Sequence, residues 1–309
     1  MKKIAVLGSS NMDFVFAVEK MPRKGETLKS LGFNRVPGGK GANQACACGK
    51  LGGDCVFLSA IGDDDSGKVL LDSLKEADVH TEKMIMKEDC ATGMAVIMVE
   101  SGGDNSIIIV AGANQFCDSN YVEKNIDVIQ EADVVLAQLE TPLEGVFDFI
   151  KEARKAGKTV ILNPAPAEVR ISDEIWECLD YLTPNETELN TLTGMPTDTL
   201  EEIEKAAQIL VGKGVKNVVV TVGSRGALLC NREGAKLYPA FANVKPVDTT
   251  AAGDTFNAGL AVGLAEDLEL DQAIRLANAA AAISITRKGA QTSLPSREEA
   301  ERLVKNNTL

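Results

Sequence analysis

Short apolar runs recur along the chain, each closed by a polar or glycine-rich break and most followed by helically spaced residues. Lys3 to Leu7 (KIAVL) reads as a buried strand ending at Gly8. Val56 to Ile61, Val134 to Gln138, Thr159 to Leu162 and Asn217 to Val222 read the same way. Helices are expected through Leu51, from Ser66 to Ala77, Leu143 to Ala156 and Leu200 to Gly212. Three more should close the chain, near Gly253 to Leu264, Leu270 to Thr286 and Ser296 to Lys305. Alternating βα units predict an α/β fold, three layers α/β/α with a mainly parallel central sheet.

Two blocks break this rhythm. Residues 14–37 carry Pro22, Gly25, Gly32 and Pro37 and do not read as a helix. Residues 91–111 hold Met94 to Val99, a Gly102-Gly103-Asp104-Asn105 turn and Ile107 to Val110, which is a hairpin pattern. Together they form either a small β lid beside the sheet or edge strands of the main sheet. No repeat, linker or low-complexity tract divides residues 1–309, so one α/β domain is expected, with residues 14–37 and 91–111 as its candidate lid.

Polar residues collect just after the strands, where open α/β sheets form their clefts. Asn11 and Asp13 follow the first strand, Glu140 the run Val134 to Leu139, and Thr221 to Gly226 a later strand. Asn185 and Glu188 stand three apart at a helix start, a spacing that suits hydrated Mg²⁺ and equally a capping box. Gly38 to Asn43 (GGKGAN) lets backbone approach a ligand around Lys40, although it lacks the spacing of a Walker phosphate loop.

The segment Val247 to Gly259 (VDTTAAGDTFNAG) is the most informative. Small residues lie where a helix begins, with Phe256, Leu260 and Leu264 on one face. Free N–H groups and the macrodipole there favour an anion. Asp254 would repel a bound phosphate, unless it serves as a base for a hydroxyl attacking that phosphate. The alternative is an ordinary capped helix start.

Composition narrows the classes. With 309 residues, 45% hydrophobic, the chain can bury one large core or two smaller ones. A formal charge of −13 without a basic run argues against a nucleic-acid partner. Seven Cys without a CxxC pair read as reduced thiols of a cytoplasmic protein, and His80, the single histidine, reads as a surface residue. The first apolar run is too short for a signal peptide, and no later stretch approaches a membrane span.

The segments GGKGAN (Gly38 to Asn43), NPAPA (Asn163 to Ala167), TPNETE (Thr183 to Glu188), TVGSRG (Thr221 to Gly226), VDTTAAGDTF (Val247 to Phe256) and TRKGAQTS (Thr286 to Ser293) resemble the ribokinase family of carbohydrate kinases. The resemblance runs to about Pro295. It implies ATP-dependent phosphorylation of D-ribose at the 5-hydroxyl, with Asp254 as base and the N–H groups of Ala252, Gly253 and Asp254 as an anion hole. It implies sugar contacts from Asn11, Asp13, Gly39, Lys40, Gly41, Asn43 and Glu140. ATP would meet Asn185, Thr221, Gly223, Ser224, Gly226, Gly253 and Asn278, with Glu188 organising Mg²⁺ through water. Asn278 departs from the histidine also acceptable beside adenine.

Asp248 precedes the anion hole and needs a neutralising partner, either an ion pair to Arg287 or Lys288 or a weakly hydrated cation held with loop carbonyls. The resemblance implies K⁺ at Asp248, Thr250, Ser284, Arg287, Gly289 and Ser293, mostly through main-chain oxygens. The apolar lid strands predict a homodimer through the lid. Rival readings are another furanose, a deoxyribose or a nucleoside as substrate, or a sugar sensor without turnover. Only 4% of residues are aromatic, which offers little to stack a nucleobase.

Overall fold

The structure, a computed structural model, describes residues 2–102, 104–168 and 170–307. The first strand, β1 (Lys3–Leu7), is the apolar run read from the sequence. It is followed by β2 (Asn11–Val18), β3 (Gly32–Gly38) and helix α1 (Lys40–Lys50). The run expected as one strand from Val56 to Ile61 divides at Ser59 into β4 (Asp54–Leu58) and β5 (Ala60–Gly62). Ser59 Oγ donates to the Gly8 carbonyl at 2.7 Å, and its own carbonyl accepts from Tyr121 Oη at 3.2 Å. Next come α2 (Asp65–Glu76), β6 (Val79–His80), β7 (Ile85–Lys87), β8 (Gly93–Glu100) and β9 (Asn105–Val110).

Two short helices that the apolar pattern does not announce, α3 (Ser119–Lys124) and α4 (Ile126–Glu131), precede β10 (Val134–Ala137). The regular part then follows the expected rhythm: α5 (Leu143–Lys155), β11 (Thr159–Leu162), α6 (Asp173–Trp176), β12 (Tyr181–Leu182), α7 (Glu186–Thr193), α8 (Leu200–Gly212) and β13 (Asn217–Thr221). A hairpin of β14 (Ala227–Asn231) and β15 (Gly234–Tyr238) comes before the closing helices α9 (Ala252–Ala265), α10 (Leu270–Ser284) and α11 (Arg297–Asn306).

Nine strands form the central sheet in the order β15-β14-β13-β12-β11-β10-β1-β4-β6. It is parallel from β6 to β13, and β14 and β15 add an antiparallel edge. Strands β1 and β10 are buried on both faces, which is why they read as continuous apolar runs. One core layer packs α5, α8 and their neighbours on one face, and another packs α1, α9 and α10 on the other. Phe256 and Leu260 of the expected stripe on α9 are fully buried, while Leu264 is half-buried at its margin.

The two irregular blocks form a separate four-stranded sheet in the order β3-β2-β8-β9, so the edge-strand alternative does not hold. Within it β2 and β8 run parallel, and β3 and β9 pair antiparallel on the outside. The β8–β9 hairpin is present, and Gly103 of its expected turn lies outside the described residues. Ile107, Ile108, Ile109 and Val110 on edge strand β9 are all exposed.

All seven cysteines are free, and five are buried. His80 is exposed, as expected, with Nε2 3.1 Å from Asp54 Oδ1. Among the described residues no helix is long and apolar enough to cross a membrane.

Candidate active site

The α9 start is the candidate centre of the chemistry. Its N-cap is Ala251, in the left-handed region at φ 59° with no side-chain capping bond. Neither an Asp nor a Thr caps this helix, so the plain-cap alternative does not account for the segment. A non-glycine residue at positive φ costs roughly 1 kcal/mol and is held there by its surroundings. The expected anion hole is smaller than three amides, because the Ala252 N–H donates to the Thr249 carbonyl at 3.2 Å. The N–H groups of Gly253 and Asp254 have no partner among the described residues.

Asp254 is only 7% exposed. Its carboxylate turns away from its own helix towards α1. Asn43 Nδ2 donates to Oδ2 and Gln44 Nε2 to Oδ1, each at 3.0 Å. A buried carboxylate needs such donors, since desolvation without hydrogen bonds costs several kcal/mol. Asn43 Oδ1 is buried with no partner, an unmet acceptor beside Asp254.

The residues expected to hold the sugar lie where the small sheet meets the main one. Asn11 and Asp13 lie on the first half of β2 rather than in a turn. Asn114, which carries no sequence signal, orients Asn11: its Nδ2 donates to Asn11 Oδ1 at 2.8 Å, and its Oδ1 accepts from the Ser10 N–H at 2.8 Å. Gly39 joins β3 directly to α1 at φ 87°, and a Cβ there would lie 2.7 Å from the Asn11 nitrogen. Glu140 Oε2 accepts from Ser9 Oγ at 2.5 Å and from the Lys40 N–H at 3.0 Å, so it closes the start of α1. Gly41 has a packing role. A Cβ on it would come within 2.5 Å of the Gly8 carbonyl carbon, so its expected sugar contact has a structural competitor.

These charges act on one another. Burial, then the charges of Glu140 and Asp254, push the Asp13 carboxyl up to about 7. Burial pulls Lys40 down, but Asp254, Glu140, Glu188 and Asp13 more than offset this and hold its ammonium above the usual range. One lysine therefore sits among four carboxylates.

Asn185 and Glu188 form the reciprocal capping box that their spacing allowed. The Asn185 N–H donates to Glu188 Oε2 at 2.9 Å, and the Glu188 N–H to Asn185 Oδ1 at 2.8 Å. The capping alternative therefore holds for both residues, and Glu188 keeps its second oxygen outside the box. Burial raises its pKa, partly countered by the Asn185 N–H and Lys40. Thr221 ends β13 and bridges to Asn185. Gly223 and Ser224 form a single 3₁₀ turn with Arg225, which pairs with Glu186. A Cβ on Gly226, at φ 103°, would meet the Tyr238 carbonyl oxygen at 2.1 Å. Asn278 Nδ2 donates to that same carbonyl at 3.2 Å.

The loop expected to hold a cation is tied down by hydrogen bonds. Asp248 Oδ1 accepts from Thr250 N and Oγ1, at 2.9 and 2.6 Å, and Oδ2 from the Gly289 N–H at 2.9 Å. Burial pushes the Asp248 pKa up, but these bonds, with Lys288 nearby, hold it below the ordinary carboxylate value. The ion-pair alternative fails for Arg287, which pairs with Glu299. The Ser284 carbonyl accepts from the Arg287 N–H at 3.1 Å, and Ser293 Oγ donates to the Ala290 carbonyl at 2.7 Å.

Comparison with known proteins identifies the family. Residues 1–297 match the pfkB family carbohydrate kinases, and the chain belongs to that family. Within the family it is similar to ribokinase of Haemophilus influenzae, 41% identical over 298 residues, covering 96% of this chain and 97% of that one. It is also similar to deoxyribokinase of Salmonella typhi, 39% identical with 96% of each chain covered. The structure of Arabidopsis thaliana ribokinase complexed with ribose and ATP superimposes with a TM-score of 0.93 at 36% identity, over 98% of this chain and 99% of that one.

A pH-dependent stability follows from Asp13. An acid whose folded pKa exceeds its unfolded value binds its proton more tightly in the native state. Stability should therefore fall as pH rises from the ordinary aspartate value of 3.8 to about 7, with the full cost present above that. Asp13→Asn should raise the melting temperature by about 2–5 °C at pH 8 and hardly at all at pH 4. Equal shifts at both pH values in a thermal melt would contradict this.

Proposed function

We propose that the chain transfers the γ-phosphoryl group of ATP to the 5-hydroxyl of D-ribose, giving D-ribose 5-phosphate. The observation that carries this is the buried Asp254 carboxylate beside the unpartnered Gly253 and Asp254 amides, in a chain similar to ribokinases along nearly its whole length. Asp254 takes the proton from the attacking hydroxyl. The Gly253 and Asp254 amides receive the charge on the moving phosphoryl group, with Ala252 shaping the turn rather than donating. Asn11, Asp13, Gly39, Lys40, Asn43 and Glu140 hold the sugar hydroxyls, with several acceptors for a polyhydroxylated ring. The unpartnered Asn43 Oδ1 is one such acceptor. Asn185, Thr221, Gly223, Ser224, Gly226 and Asn278 border the nucleotide.

The donor set fits Mg²⁺, since one carboxylate oxygen of Glu188 lies outside the capping box and this ion keeps most of its waters. When bound, the ion neutralises charge on the phosphates. Reduced cysteines suit a cytoplasmic location.

A second sugar has a specific observation in its favour, the 39% identity to a deoxyribokinase. An ATP-consumption assay over ribose, deoxyribose, hexoses and nucleosides separates these readings. Turnover confined to deoxyribose or to nucleosides would overturn the ribose assignment. Asp254→Asn should lower turnover by roughly 10²-fold or more with sugar binding largely kept. Near-normal turnover in that variant would remove Asp254 from the role of base.

The exposed apolar edge strand β9 supports a homodimer through the lid, since an uncovered apolar edge invites association. Sedimentation at micromolar concentration should give twice the chain mass, and a monomer would refute the lid interface.

We propose K⁺ as an activator, with Asp248 and main-chain oxygens among Thr250, Ser284, Arg287, Gly289 and Ser293 as its ligands. Asp248 already clasps the two loops through Gly289 and Thr250, so a cation would reinforce a fixed geometry rather than create it. Turnover should rise when Na⁺ or Tris is replaced by K⁺ at equal ionic strength, and Asp248→Ala should abolish the rise. Equal wild-type rates in all three buffers would exclude the cation site.

A further inference from the structure

Asn43 and Gln44 stand side by side near the start of α1, and both reach Asp254. Gln44 is fully buried, and each of its polar groups is engaged. Its Nε2 donates both to Asp254 Oδ1 at 3.0 Å and to Asn163 Oδ1 at 3.1 Å, while its Oε1 accepts from Gln138 Nε2 at 2.6 Å. The direction of these bonds is fixed from outside. Asn163 Nδ2 donates to the Thr183 carbonyl at 3.0 Å, and a carbonyl can only accept. Asn163 must therefore turn its oxygen to Gln44. Gln44 must turn its amide nitrogen to Asn163 and Asp254, and its oxygen to Gln138. A flipped Gln44 would set its oxygen against two other oxygens.

The backbone makes room for this chain. A Cβ on Gly8 would lie 2.0 Å from Gln138 Oε1 and 2.7 Å from the Gly41 Cα, so any other residue at position 8 would displace Gln138 or α1. A second branch reaches the same helix start. Thr183 Oγ1 donates to Asn257 Oδ1 at 2.5 Å, and Asn257 Nδ2 to the Gly253 carbonyl at 2.9 Å.

We infer that Gln44 is a positioning residue that fixes the rotation of the Asp254 carboxylate, and that Gln138 sets Gln44 in turn. An aspartate carboxyl rotates in a broad two-fold well. One donor to one oxygen leaves that rotation loose, whereas Asn43 and Gln44 on different oxygens define the carboxylate plane. Both donors are neutral amides. A lysine or arginine in place of Gln44 would hold Asp254 too, but would bring a further positive charge into the buried site. Asn43 borders the cleft with an unmet acceptor; Gln44 has no exposed surface and acts only through Asp254. The inference rests on Asp254 being the base.

A double-mutant cycle tests it with wild type, Gln44→Met, Asp254→Asn and the double variant, assayed for ATP turnover at high enzyme concentration. Gln44→Met should lower kcat by about tenfold, because small misplacements of a catalytic group cost one to two orders of magnitude. KM for sugar and for ATP should stay within about twofold, and thermal melting should remain cooperative. In the Asp254→Asn background the same substitution should cost nothing further. Wild-type kcat in Gln44→Met, or the same tenfold loss in both backgrounds, overturns the inference. Near-normal turnover of Asp254→Asn alone overturns the base assignment on which it rests. If Gln44→Met does not fold, Gln138→Met takes its place in the cycle, with a smaller kcat loss expected and the same criteria.

Discussion

A carboxylate can be buried only where the fold supplies hydrogen-bond donors, and Asp254 imposes that requirement on the centre of this molecule. The donors come from α1, so α1 must lie against the start of α9. Close approach demands small residues, and the chain has them where the two elements meet the sheet. Gly41 sits on Gly8, and Ala42 and Ala45 are fully buried, while Gly259 of α9 lies against Ala277 of α10. Small residues therefore recur along α1, and large side chains fill the space around them: Phe57 shares one core cluster with Ala42 and Ala45, and Phe256 follows Asp254 by two positions.

The lid joins the same arrangement through the backbone. Strand β3 becomes α1 with only Gly39 between them, and β2 carries Asn11 and Asp13 from the sheet into the lid. The small sheet and α1, whose donors hold Asp254, thus share the short segment that presents Lys40. Crowding of like charge comes with it. Asp13, Glu140 and Asp254 surround one ammonium, and Asp13 is left with a raised pKa. Such a site suits a neutral ligand rich in hydroxyl donors, and it costs stability at neutral pH, a common trade at functional positions.

Much of this could be read from the chain. The β1, β10, β11 and β13 strands announced themselves because a parallel strand buried on both faces is apolar throughout. The start of α9 was legible because its small residues and Asp254 conflict with simple phosphate binding, and the conflict pointed to chemistry. Helices α3 and α4 were not legible: six residues each, with two buried side chains apiece, give no period to detect. The β14–β15 hairpin was hidden because its turn lies within Asn231 to Gly234, without an Asn-Gly or Asp-Gly pair. Gln44, Asn114, Gln138 and Asn257 were missed because a buried amide inside a helix or after a strand has no pattern of its own.

The sequence by itself determined the layered α/β class, the order of most elements, and the residues that gather at strand ends, because periodicity and local turn chemistry are properties of neighbouring positions. Only the tertiary structure decided what those residues do to one another. What partner Asp248 takes and which buried glutamine holds Asp254 depend on groups 41 and 210 positions apart, and the choice between the readings that spacing left open at Asn185 and Glu188 was made only by the folded geometry. Hydrogen-bond direction is settled by the complete network, and a linear pattern does not contain it.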